Sequence, residues 1–324
     1  MMLVETVRGP VASERLGRTL MHEHIFVLDP AMLRSYGTAW GPAYWDEDRE
    51  VERAVANLRR LKDAGFQSLV DPTVPGVGRW VPLVQRVNEQ VDFNILVATG
   101  YFSLAELPLF LRMRSAEQIS QLFVRDLRDG VDGTEVKAAF LKVAVEELGL
   151  IGDVPLLLEA VALAHHATGA PIMVHTDSVT RSGLLALEAL QRDGVDPGRV
   201  VIAHAGDSDD LDYLRAMADT GAVLGFDRLP GEHRIPLTRR VAAMATLIGQ
   251  GYADRIHLSN DGASFLDFTA GHPELADLHF EGDYLFAWET VVPMLRAAGV
   301  SAEQIDQILV RNPVRFFDPE ASAP

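Results

Sequence analysis

A (β/α)8 barrel is the fold this sequence predicts, on three observations. Eight short apolar runs recur along the 324 residues, amphipathic stretches separate most of them, and glycine ends several of those stretches. The runs cover 19–24, 66–71, 94–99, 138–143, 171–176, 200–204, 222–227 and 255–261. Between the first two, apolar residues at 51, 54, 55, 58 and 61 fall on one face of a helix over 51–62. The stretches 154–166, 183–192, 209–218 and 238–250 read the same way. Gly65, Gly169, Gly194 and Gly251 stand where helices stop. An open doubly wound sheet is the alternative; no Gly-x-Gly-x-x-Gly follows an early strand to support it. With no linker, low-complexity segment or short repeat, the expectation is one domain over residues 1–324. Its last helix, over 301–317, packs on the barrel, and the tail frays from Asp318.

Composition narrows the chemistry. Hydrophobic residues make up 48% and charged residues 23%, the balance of a globular protein with a large core. A net charge of -17 argues against nucleic acid or an anionic membrane surface as the main partner. With no cysteine there is no disulfide, thiolate ligand or cysteine nucleophile, so a metal would be held by imidazole and carboxylate. That donor set suits zinc, manganese, cobalt or iron. The first ten residues include Glu5 and Arg8 and lack a long apolar segment, and no run is long enough to span a bilayer. The expectation is a soluble cytoplasmic protein without a membrane partner.

Polar residues gather at the C-terminal ends of the predicted strands, where barrels of this class place their active sites. In Met21-His22-Glu23-His24, alternation along a strand points both imidazoles one way and Glu23 the other. Lys142 closes the fourth strand, His175 the fifth, His204 the sixth and Asp261 the eighth. Any one of these histidines reads equally as a core residue; four of the ten in one layer with a lysine and an aspartate read as a metal site. Lys142 is the odd member, because an ammonium beside metal ions is repelled. It either loses its proton and takes up carbon dioxide as a bridging carbamate, or it pairs with Glu146 or Glu147. Asp207 and Asp227 read as groups that orient ligands or as loop turns. Phe26, Trp40, Tyr44 and Trp45 either roof the cleft or simply pack. His257 shares the parity of Asp261 and reads as a barrel-layer residue; His165 and His166 lie on a helix.

The string Gly17-Arg18-Thr19-Leu20-Met21-His22-Glu23-His24 resembles the opening signature of the phosphotriesterase family of the amidohydrolase superfamily. The likeness runs in order through Leu141-Lys142-Val143, Met173-Val174-His175-Thr176 and Ile202-Ala203-His204-Ala205-Gly206-Asp207. It continues through Gly225-Phe226-Asp227-Arg228 and Ser259-Asn260-Asp261 to Asn312-Pro313-Val314-Arg315-Phe316-Phe317. The resemblance implies two divalent ions, zinc first, with cobalt, manganese or iron as alternatives. His22, His24 and Asp261 would hold the more buried ion, and His175 and His204 the more exposed one. N6-carboxylated Lys142 and a hydroxide would bridge them, and Asp261 would carry the proton to the leaving group. A homodimer is also implied.

Within the family the chain is most like the phosphotriesterase-like lactonases. Tyr101 matches a tyrosine near the bridging hydroxide, Arg228 an arginine lining the cleft, and Phe268 an aromatic that packs on an acyl chain. The short loop 228–238 is lactonase-like, whereas Ser259-Asn260-Asp261 and Gly249-Gln250-Gly251-Tyr252 also resemble the phosphotriesterases. After Lys142 the chain reads Val-Ala-Val-Glu-Glu, where lactonases usually carry threonine and aspartate; Met173, Asp177 and His233 favour neither branch. The implied substrate is a γ- or δ-lactone such as an N-acyl-homoserine lactone, with organophosphate triesters turned over promiscuously. The alternatives are a genuine phosphotriesterase (aryldialkylphosphatase) or another amidohydrolase-type esterase, in which Arg228 pairs with a substrate carboxylate.

Overall fold

A computed structural model describes residues 2–42, 44–230, 235–269 and 283–321. Its centre is a sheet of eight parallel strands in chain order. These are β1 (Thr19–Leu20), β2 (Ser68–Asp71), β3 (Asn94–Tyr101), β4 (Phe140–Val145), β5 (Ile172–Thr176), β6 (Val200–Ala203), β7 (Val223–Phe226) and β8 (Ile256–Leu258). Helices α1 (Glu47–Asp63), α2 (Val81–Asn88), α3 (Ala116–Arg128), α4 (Val154–Thr168), α5 (Ser182–Arg192), α6 (Leu211–Ala218) and α7 (Leu237–Gly249) follow the first seven strands in turn. This is the (β/α)8 barrel that the eight runs predict.

Alternation along the strands sorts the core into two layers. Val70, Leu96, Phe140, Met173, Val201 and Val223 fill the interior. Their neighbours Leu69, Ile95, Leu141, Ile172, Ile202 and Leu224 pack outward against the helices. The helices follow from the same sequence patterns. In α1 the apolar positions 51, 54, 55, 58 and 61 are all buried, Asp46 caps Arg49 N, and Arg60 and Lys62 lie in the last turn. The sequence reading missed a helix over Pro30–Trp40, which Asp29 caps by accepting from Ala31 N and Met32 N. No helix among the described residues is long and apolar enough to cross a membrane.

Phe316 and Phe317 close the base of the barrel by joining the interior cluster. Asn312 ties their helix to β8, donating to the Ile256 carbonyl at 2.7 Å. The expected fraying at Asp318 does not occur: that carboxylate is buried and accepts from Ser13 Oγ at 2.8 Å and Met2 N at 3.2 Å.

The first strand departs from the prediction. Its ladder ends at Leu20 and the chain bends at Met21 and His22. A new short strand, His24–Val27, then pairs in parallel with Ala263–Leu266. Between these segments the first and eighth strands meet through single bonds: His22 N to Ser259 Oγ at 2.9 Å, Asp261 N to the His22 carbonyl at 3.0 Å, and His24 N to the Gly262 carbonyl at 2.7 Å.

Candidate active site

Three local devices bring the site residues together. Lys142 and His175 arrive by alternation, each two residues beyond an interior side chain, Phe140 and Met173. His204 follows Ala203, which faces the interior, so continued alternation would turn its ring outward. A left-handed backbone, with φ of 63°, turns it back. Asp261 also sits in that region, with φ of 57°. His22 and His24 come inward because of the bend after Leu20. Met21 already faces the interior, so an unbroken strand would have sent Glu23 to the centre and the two imidazoles away from it.

Each of the four imidazoles has one nitrogen held from behind and the other aimed at a common centre. Asp227 holds two of them: Oδ2 lies 3.0 Å from His22 Nδ1, and Oδ1 lies 2.9 Å from His204 Nδ1 while also accepting from His204 N. Glu146 Oε1 holds His175 Nε2 at 2.5 Å, and Thr73 Oγ1 holds His24 Nδ1 at 2.6 Å. The opposite nitrogens converge. His22 Nε2 and His24 Nε2 lie 3.2 and 3.3 Å from Asp261 Oδ1. His175 Nδ1 and His204 Nε2 lie 2.9 Å apart. His22, His204 and Asp261 offer ligand atoms that all fall within 4.8 Å of one another. A carboxylate or hydroxyl behind each ring is how proteins fix the tautomer of metal-binding histidines.

Charge is distributed to match. Burial holds His204 well below its usual value, and Arg228 adds to the effect. Burial pushes His175 down to about 4, against the pull of Glu146. His22 moves the other way: burial and Lys142 lower it, and Asp261 and Asp227 more than offset them. Burial would raise Asp261, but His22 and His204 keep it well below the usual carboxylate range. Burial lowers Lys142 to about 8, partly opposed by Asp227 and Asp261. Its Nζ is buried and has no hydrogen-bond partner among the described residues. Glu146 is therefore the partner of His175 and not of Lys142.

These features fit a pair of divalent ions. His175 and His204 are held neutral and Asp261 ionised, the donor states a metal requires, His22 would give up its proton to the ion, and no thiolate competes. The orphaned amine of Lys142 is the buried group a carbamate would convert from a misfit into a ligand.

Above this floor opens a cavity of about 710 Å³. Val27, Val77, Phe102, Leu266 and Phe268 give it apolar walls, and Asp29 and Asp267 stand among the lining. Arg228 reaches in with its charge already engaged, Nε on Asp261 at 3.1 Å and Nη1 on Asp207 at 3.1 Å. Tyr101 does not itself line this cavity, although its ring lies beside Gly76, which does. It packs against the outer core, whereas its neighbour Phe102 packs against the interior cluster and lies 5.0 Å from the His175 ring, centroid to centroid. Trp45 stacks edgewise on Phe265 and Phe26, and Tyr44 on Phe265, so these three side chains pack on one another. The side chain of Trp40, and His233, lie outside the described residues.

Sequence reasoning missed Asp71 and Thr73, although Asp71-Pro72-Thr73 closes the second strand at the same end of the barrel. It also missed Arg240, a buried side chain of α7 whose guanidinium donates to the Arg228 carbonyl at 2.6 Å and the Leu229 carbonyl at 3.0 Å. No periodicity distinguishes such an arginine from a surface one.

Comparison with known proteins agrees with this geometry. The model of the phosphotriesterase family matches residues 2–317. A "phosphotriesterase homology protein" of Mycobacterium tuberculosis is 38% identical over 323 residues, covering 97% of both chains. An "aryldialkylphosphatase" of Saccharolobus solfataricus is 33% identical over 311 residues, covering 96% of this chain and 98% of that one. The solved structure of the phosphotriesterase from Mycobacterium tuberculosis superposes with a TM-score of 0.90 at 38% identity, covering 98% of each chain.

Proposed function

This chain belongs to the phosphotriesterase family, and from that premise we propose that it is a binuclear metal hydrolase that opens γ- or δ-lactones with an apolar tail, such as N-acyl-homoserine lactones. The observation that carries the reading is the set of four imidazoles, each pinned on one nitrogen and convergent on the other, around Asp261 and the orphaned Lys142 amine. His22, His24 and Asp261 would hold one ion and His175 and His204 the other, with Lys142 as its carbamate between them. When bound, the ions supply Lewis-acid polarisation of the scissile oxygen and a water of lowered pKa.

The chain's own residues do the rest. Asp261, kept ionised by His22 and His204, accepts the proton of the attacking water and returns it to the leaving alkoxide, a role worth about 10²–10⁴ in rate. Arg228 holds Asp261 from one side and Asp207 from the other. Val27, Val77, Phe102, Leu266 and Phe268 exclude water and receive the apolar tail.

Charge supports a neutral substrate. Arg228 is already balanced by two carboxylates, and Asp29 and Asp267 add negative charge along the cavity, so a substrate carboxylate would find no unbalanced arginine there among the described residues. Lactones and organophosphate triesters both meet this condition, and triesters are the proposed weaker activity. The deciding experiment is a panel of γ- and δ-lactones and paraoxon-type triesters on metal-reconstituted protein. Lactone turnover with the higher kcat/KM is the expected result. Efficient triester hydrolysis without turnover of any lactone would assign the chain to aryldialkylphosphatase chemistry instead.

A further inference from the structure

Glu23 lies between two of the imidazoles that converge on the site, yet it faces away from them into the seam between the first and eighth strands. It is fully buried. Its Oε1 accepts from Ser259 Oγ at 2.9 Å, Asn260 N at 2.7 Å and Asn260 Nδ2 at 2.7 Å, and its Oε2 accepts from Gly262 N at 2.8 Å. All four donors flank Asp261. The amide of Asp261 itself donates to the His22 carbonyl at 3.0 Å. Asn260 is fixed in turn, since its Oδ1 accepts from Ala287 N at 2.7 Å and its Nδ2 also reaches the Tyr284 carbonyl at 2.9 Å. The Tyr284 hydroxyl donates to the His24 carbonyl at 2.7 Å and so closes the ring. Between the end of β1 and the His24–Val27 strand no ladder joins the chain to β8, and there these side-chain bonds supplement two single backbone bonds.

We propose that Glu23 is the positioning residue for Asp261: an acceptor-only side chain that holds the 259–262 turn, keeps Asp261 in its left-handed conformation, and so sets where its carboxylate meets His22 and His24. Burial raises the Glu23 carboxyl well above its usual range, against the pull of the four donors; as a carboxylate it accepts from all of them, and its amide does not. Every partner is a donor, and the NH2 of a glutamine would point a donor at either Gly262 N or the Ser259–Asn260 group. The proposal rests on the binuclear reading for its consequence and on the geometry for its premise.

The test is Glu23→Gln, titrated as metal-free protein with Co2+ alone. The parent takes up two ions per chain. The variant, folded by circular dichroism, binds one of them 10- to 100-fold more weakly, in line with the loss of an outer-shell partner, and its Co2+ visible spectrum changes. Parent-like uptake and spectrum with only a lower Tm would reduce Glu23 to a stabilising residue and overturn the proposal. If Glu23→Gln does not fold, Ser259→Ala removes one of the three donors to Oε1, and a parent-like Co2+ titration of that variant overturns it equally. If the parent itself binds fewer than two ions, the binuclear reading fails on its own. Metal-free crystals of Glu23→Gln then decide the role of Glu23: Asp261 leaves the left-handed region, or the proposal is wrong.

Discussion

Replacing Asp227 with asparagine changes one atom and separates two functions of the same side chain. In the parent, Oδ1 accepts from the His204 amide and faces His204 Nδ1, while Oδ2 faces His22 Nδ1. An asparagine keeps one oxygen. If that oxygen stays with His204, where two donors meet it, the NH2 faces His22 Nδ1. The ring must then accept at Nδ1 and carry its proton on Nε2, the nitrogen 3.2 Å from Asp261 Oδ1 that a metal needs bare. The opposite rotamer does the same to His204. One ligand is therefore in the wrong tautomer whichever way the amide turns. A single outer-shell partner is worth about 10–100-fold in metal affinity, and here one carboxylate serves two rings. Because the amide still serves one ring, the expected loss is that of one partner, about 10–100-fold, or about 1–3 kcal/mol. Competition of metal-free protein against a chromophoric chelator for Zn2+ measures it directly, with circular dichroism as the control for folding. A folded Asp227→Asn that binds Zn2+ within threefold of the parent would refute the tautomer argument.

Lys142→Ala removes most activity and metal, and short carboxylic acids restore part of both by supplying the missing bridge; a variant as active as the parent makes Lys142 structural. His22→Ala loses one of about two ions per chain by elemental analysis, and retained occupancy contradicts its role as a ligand. Phe268→Ala flattens the rise of kcat/KM with acyl-chain length, a rise of about 0.8 kcal/mol or fourfold per buried CH2. His257 gives a pH signature: burial lowers it to about 3, so it stays neutral in the fold while the unfolded chain takes up a proton below about 6.5. Its contribution to stability is therefore intact above pH 6.5 and declines as pH falls toward 3, by roughly 2 kcal/mol from 6.5 to 5. Urea unfolding of a His257→Leu variant should show a correspondingly flatter slope, and identical slopes would exclude the effect.

The barrel was legible because its strands are buried on both faces and its helices on one, which leaves two distinct periodicities in the sequence. The residues at the strand ends were legible for a second reason: a histidine, lysine or aspartate that closes an apolar run is carried into the interior by that run, and burial of such a group is costly unless something there pairs with it. For Tyr101 the motif places an aromatic at the end of the third strand and does not say which of two adjacent aromatics lines the cavity, and in the structure that one is Phe102. The break after Leu20 was hidden because the expected alternation gives the right pairing of His22 with His24 for the wrong backbone. Glu146, Thr73 and Glu23 were missed as outer partners because each acts through a contact far along the chain. Glu23 and Ser259, for example, are separated by 236 positions.

The two left-handed residues of the site, His204 and Asp261, are restricted in which amino acids they accept. A side chain forced into that region ordinarily costs about 1–2 kcal/mol, and histidine, aspartate and asparagine are among the types found there most often. His204 and Asp261 are thus constrained twice, once as donors and once as turn formers. A glutamate at 261 could still offer an oxygen but would sit in the turn less comfortably. A glycine at either place would relax the backbone and abolish the donor. Relief of the backbone would not compensate, because losing either side chain leaves buried partners unpaired, Arg228 and His22 for Asp261 and Asp227 for His204, so both positions resist even a stability screen.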